Sequence, residues 1–201
     1  MLSDRRLWWL PVCCWLAVVV ADVLLRRAPS YFVLGLVDEP AHFLTSVVVL
    51  LAVAAAVPGR HLGVYFSAGL LVSGNLIDLD HLPMSLGTDL LTAGTARPYP
   101  HSLVTPVVLL AVAVLSPGRW SRLAAGAAIG VTGHLLRDLG TAPVSLFWPF
   151  SGAGVSVPHG LYLGVLLALA LVPRLAGAVR STPPSIRPAP APRAAEPDRR
   201  S

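Results

Sequence analysis

Lysine is absent from the chain, so all 15 of its basic residues are arginine, and charged side chains together make up only 12% of its 201 residues. A soluble domain of this size would be about one quarter charged. Lipid rather than water is therefore the expected solvent for much of the surface. Cysteine occurs only as the adjacent pair Cys13 and Cys14, which excludes a disulfide framework and a thiolate zinc site. Both read as small buried apolar residues.

What is abundant is apolar: 55% of the residues are hydrophobic and the mean hydropathy is +0.70. The apolar runs are closed by Arg, Pro, Gly or Asp at Leu7–Leu25, Ala41–Val57, His61–Ile77, Ser102–Leu115, Arg122–Leu139 and Gly160–Leu175. Each approaches the length that a helix needs to cross a hydrocarbon core of about 30 Å. The expected fold is thus an all-α polytopic membrane helical bundle with about six transmembrane helices. The fourth run is short and must extend into its flanks, thin the membrane locally or re-enter it. The first lies between "SDRR" and "RRAPS" and reads as an uncleaved anchor helix rather than a signal peptide. This divides the chain into an anchor helix and loop over 1–40, a membrane-embedded domain over 41–176, and a Pro/Arg-rich tail over 177–201 whose composition cannot build a core.

Arginine sets the orientation. With the N-terminus inside, the inner face carries Arg5, Arg6, Arg60, Arg119, Arg122, Arg174, Arg180 and Arg187, against Arg26, Arg27, Arg97 and Arg137 outside. By the positive-inside rule the chain is expected in the plasma (inner) membrane with both termini cytoplasmic. The basic tail, next to a span, points to anionic lipid headgroups and not to nucleic acid.

The same topology sorts the chemistry. His42, His81, His101, His134 and His159 fall at one face, the extracytoplasmic one, with Asp38, Glu39, Asp78, Asp80, Asp89 and Asp138. Only His61 falls on the other side. An Asp at the centre of a span costs on the order of 2.5–3.5 kcal/mol, so acids gathered at helix ends call for a reason. In "GHLLRDLG", His134 and Asp138 are four apart and share a helix face. In "NLIDLDH", Asn75, Asp78 and His81 share one if the helix continues. Mixed imidazole and carboxylate donors suit Zn, Mn or Fe, and there are enough for one ion or a pair. His42, Asp78, Asp80, His81, His101, His134 and Asp138 are the candidate ligands. Asp78 or Asp80 is the candidate general base for an activated water. Arg97 and Arg137 could bind an anionic headgroup or phosphoryl group, or pair with Asp138 or Asp89. His159 is a weaker candidate, and Asp22 is accounted for by a local pair with Arg26. Spans three and five carry Gly69 with Ser73 and Gly126 with Gly130, small residues that permit close approach. Spans two, four and six look lipid-facing.

The order of an early His at a helix start, then "DLDH", "RPYPHS" and "HLLRDLGTAPVSLFWPF" resembles the YdjM-like, LexA-regulated family of membrane-bound metal-dependent hydrolases, from about Ala41 to Phe150. The resemblance implies that His42, the block of Asp78, Asp80 and His81, and the pair His134 and Asp138 belong to a metal site. The family block His-Arg-Gly-x-Thr-His-Ser reads "ARPYPHS" here, with Ala96, Pro98 and Pro100 replacing His, Gly and Thr, while Arg97, His101 and Ser102 remain.

The leading expectation is a membrane-bound hydrolase with a divalent metal, Zn or Mn first, acting on a phosphoester of a lipid or envelope-derived substrate. The rival is a non-catalytic membrane protein with a structural or degenerate metal site. Ion transport ranks last, because spans two and four are nearly bare of polar residues at midplane.

Overall fold

The structure, a computed structural model, describes residues 9–27, 31–57, 62–92, 95 and 97–181. His61, Ala96, Arg5, Arg6, Arg60, the first residues of span one and the tail from 182 onward lie outside the described residues. The elements are α1 (Leu10–Leu25), α2 (Tyr31–Ala56), α3 (Val64–Leu76), a 3-10 segment (Ile77–His81), the single turn α4 (Leu82–Ser85), α5 (Val104–Leu115), α6 (Gly118–Thr141) and α7 (His159–Ser181). Among the described residues there is no strand, only an isolated antiparallel bridge between Val144 and Val155.

The chain is all-helical. Residues Leu36–Ala56 of α2 and His159–Gly177 of α7 are long and apolar enough to cross a membrane, and α1 and α5 are apolar but shorter. Outward faces remain oily: Leu16 and Val20 on α1, Val108 and Val114 on α5, and Leu161 and Leu175 on α7 are all exposed. Water would tolerate few such patches, whereas lipid solvates them.

Several boundaries differ from the apolar runs. Helix α2 begins ahead of Ala41 and carries Asp38, Glu39 and Pro40 within it, so His42 sits inside a helix and not at its start. Proline lacks only one backbone donor, and the helix continues through it. Helix α7 likewise passes Pro173 and runs to Ser181, taking the first residues assigned to the tail. Helix α2 is not lipid-facing: Ala41, His42, Thr45, Ser46, Val48, Val49, Ala52 and Ala55 are buried, because it packs against α1, α3, α6 and α7. Cys14 is buried but Cys13 is exposed.

Helices α3 and α6 form the tightest pair. A methyl group at Gly126 would run into the carbonyl of Phe66, and one at Gly130 into that of Leu70. The Ser73 hydroxyl donates to the carbonyl of Ala127 at 2.9 Å, so small residues allow both backbone contact and a hydrogen bond across the seam. Gly126→Val should destabilise the fold by about 1–3 kcal/mol through overpacking. Thermal unfolding in detergent measures this, and a wild-type midpoint would contradict the close approach.

Candidate metal centre

Four segments deliver the polar side chains. Helix α2 supplies Asp38 and His42 one turn apart; the 3-10 segment after α3 supplies Asp78, Asp80 and His81; the loop before α5 supplies His101; and α6 supplies His134 and Asp138. The 3-10 winding matters, because its tighter turn lets both Asp78 and Asp80 reach His101. The loop is fixed from outside: the Leu103 N–H donates to the Leu146 carbonyl at 3.0 Å, and the Tyr99 ring stacks on Trp148 of the "WPF" turn at 4.5 Å.

The histidines that converge are His42, His81, His101 and His134. Two trios, His42 with His134 and Asp138, and Asp78 with His81 and His101, each offer donor atoms within 4.8 Å of one another. The trios interlock. His101 Nε2 lies 3.2 Å from His134 Nε2, 3.1 Å from Asp78 Oδ1 and 3.5 Å from Asp138 Oδ2. His134 Nε2 lies 3.4 Å from the same Asp78 oxygen and 3.3 Å from the same Asp138 oxygen. A tetrahedron of donors around an ion at roughly 2.0–2.1 Å has edges of roughly 3.3 Å, and these separations are of that size.

Back-side contacts set the tautomers. His134 Nδ1 donates to the Gly74 carbonyl at 3.0 Å, and His101 Nδ1 donates to Asp80 Oδ2 at 3.0 Å. Each ring then turns Nε2 toward the other and toward two carboxylates, an arrangement that a proton or a bound metal ion relieves. Such outer contacts typically orient metal-bound histidines. Asp138 Oδ1 is buried without a hydrogen-bond partner, facing His42 Nε2 at 3.6 Å. An unsatisfied buried carboxylate oxygen is costly, and a metal ion would satisfy it.

Asp80 therefore stands behind the rings, with its other oxygen 3.0 Å from His81 Nδ1. Burial alone would raise the Asp80 carboxyl, but hydrogen bonds from His101 and His81 hold it below the usual range. Asp78 follows the same pattern, with His101 and His134 outweighing burial. Burial would lower His101, yet Asp78 and Asp80 raise it above the ordinary imidazole value. The His81 side chain is 26% exposed, while those of His42, His101 and His134 are at most 1% exposed, so His81 marks the mouth.

A second network adjoins the first. Arg137, fully buried, donates to Asp22 Oδ1 at 2.5 Å, to Asp38 Oδ1 at 2.6 Å and to the Tyr162 hydroxyl at 3.3 Å. Arg137 is thus enclosed among bundle carboxylates, away from the anion-binding role and from pairing with Asp138 or Asp89. Asp22 reaches across the bundle to it, not along α1 to Arg26. His159 joins this network, 3.5 Å from Asp22 Oδ2, and stays outside the cluster of four. Arg97 bonds Asp138 Oδ2 at 2.8 Å. It lines a cavity of about 300 Å³ together with Arg26, Asp38, Thr141 and His159.

Asp38 is the residue that sequence reasoning did not select as a ligand. Its spacing of four from His42 was the available signal, hidden by the reading of "DEP" as a loop before the helix.

A family model described as YdjM inner membrane protein matches residues 37–191. No curated protein and no solved structure matches the chain.

Proposed function

The chain belongs to the YdjM inner membrane protein family, and from that premise we propose that it is a multi-pass membrane hydrolase using a divalent metal, Zn or Mn first, on a phosphoester of a lipid or envelope-derived substrate. The observation that carries the reading is the convergence of His101, His134, Asp78 and Asp138 at 3.1–3.5 Å, with both Nε2 atoms turned inward. In this reading six spans cross the membrane with both termini cytoplasmic and the centre at the extracytoplasmic face. Residues 41–176 form the hydrolase-like unit.

Bound there, a divalent ion would supply Lewis acidity and lower the pKa of a water molecule. His101, His134, Asp78 and Asp138 would hold it. Asp80 fixes the tautomer of His101 and sits beside His81, the exposed ring, which is placed to pass a proton between the centre and the mouth. This shifts the Asp80 assignment from general base on the water to orienter of the rings. Arg97, at the cavity wall and bonded to Asp138 Oδ2, would meet a phosphoryl group with the rest of its guanidinium fork. The cavity adjoins the centre through Arg97 and Asp38, and its wall carries Arg26 and Arg97 beside Asp22 and Asp38.

Elemental mass spectrometry on detergent-purified protein tests the reading, comparing wild type with the His134→Ala, Asp138→Ala double variant. Near-stoichiometric Zn or Mn that vanishes in the variant, together with metal-dependent phosphoesterase turnover, is the expected result. Wild-type protein that takes up no ion after reconstitution would remove the basis for hydrolysis. An ion without turnover on any phosphoester would favour the structural metal site instead.

A further inference from the structure

The geometry points to two ion positions in this centre, bridged by Asp78 and Asp138, with Asp38 and His42 completing the second. This rests on the first position being a metal site, as proposed above.

The two bridging carboxylates divide their oxygens. Asp78 Oδ1 and Asp138 Oδ2 face His101 and His134, as described. The remaining oxygens turn to His42: its Nε2 is 3.6 Å from Asp138 Oδ1 and 4.0 Å from Asp78 Oδ2. Asp38 Oδ2 approaches the same nitrogen at 3.7 Å. Three carboxylate oxygens thus surround one imidazole nitrogen at spacings too long for hydrogen bonds and suited to ligands sharing an ion. Asp138 Oδ1, buried and without a hydrogen-bond partner, is aimed into this second position.

The histidines supply an independent measure. The rings of His42 and His134 stack with centroids 3.9 Å apart and planes inclined by 14°. Both present Nε2 to the same carboxylate, each to a different oxygen. Ions carried by two such nitrogens would be separated by about the ring spacing, and two-metal hydrolytic sites hold their ions about 3.5–4 Å apart.

Arg137 acts as a positioning residue for this second position. Its Nη2 takes Asp38 Oδ1, which leaves Oδ2 turned to His42. Helix α6 therefore places Asp138 as a bridge and, through its neighbour Arg137, aims a ligand contributed by α2. A bridged pair would clamp the attacking and leaving oxygens of an in-line displacement, which suits the phosphoester substrate of that reading.

The test uses the full chain in detergent, stripped with chelator and titrated with Mn²⁺ alone. Wild type is expected to bind two ions per chain and to give an exchange-coupled electron paramagnetic resonance spectrum. Asp38→Asn, which retains an oxygen to accept from Arg137, should halve the stoichiometry and leave an isolated six-line signal. His42→Ala, which leaves the contact between Arg137 and Asp38 untouched, should do the same. Saturation of wild type at one uncoupled ion, with metal-dependent turnover intact, would overturn the second position and spare the hydrolase reading. Two ions retained by both variants would overturn the assignment of Asp38 and His42. No binding by wild type would overturn both readings together.

Discussion

His101→Ala should strip bound metal from the purified protein and abolish turnover with it. The ring uses both nitrogens within the cluster: Nε2 is within 3.5 Å of His134, Asp78 and Asp138, and Nδ1 is tied to Asp80. Without the imidazole, buried carboxylates would confront each other across the gap with one fewer neutral donor between them. The informative companion is Asp80→Asn. Asp80 touches the rings from behind, so its loss should weaken metal affinity by about 10–100-fold without emptying the site. Competition titration against a chelator of known affinity separates the two effects. Equal affinities for His101→Ala and Asp80→Asn would show that the inner and outer roles are wrongly divided.

Arg137→Met should destabilise the bundle by about 3–5 kcal/mol, the usual consequence of removing one partner from a buried ion pair. Asp22 is 4% exposed and Arg137 is fully buried, so methionine would leave that carboxylate without its cation. The pair by itself is weak evidence of net stabilisation, since desolvation of both ions offsets much of their attraction. That asymmetry makes a further expectation: the double variant Arg137→Met, Asp22→Leu should recover part of the loss, because it removes the more deeply buried of the two carboxylates that lose their cation and leaves only Asp38 unpaired with Arg137. Unfolding in mixed micelles monitored by tryptophan fluorescence reads both variants. A single variant within about 0.5 kcal/mol of wild type would place Arg137 among ordinary surface charges.

The sequence by itself was sufficient for the helical class, for the membrane and for the family, because each depends on composition and short local patterns. Apolar runs between arginines need no partner to be recognised, and the pairing of His134 with Asp138 is a property of one helix turn. The small residues of α3 and α6 likewise announced their seam, since only Gly, Ala and Ser permit such approach. The start of α2 was not legible: "DEP" carries the marks of a loop, and only packing against α1, α3, α6 and α7 makes a helix through Pro40 worthwhile. That one extension moved Asp38 from a loop to a turn below His42.

The arginines show the same division. Arg97 and Arg137 carry the same charge at the same end of the bundle, yet one lines a cavity beside Asp138 and the other is sealed between Asp22 and Asp38. Nothing local distinguishes them, because a guanidinium takes its role from the carboxylates that other helices bring to it. Likewise His159 shares its face with the other histidines but meets Asp22, 3.5 Å away, and not the centre. Local chemistry chose which residues could act; the tertiary fold, by setting distances between segments remote in sequence, decided which of them do so together.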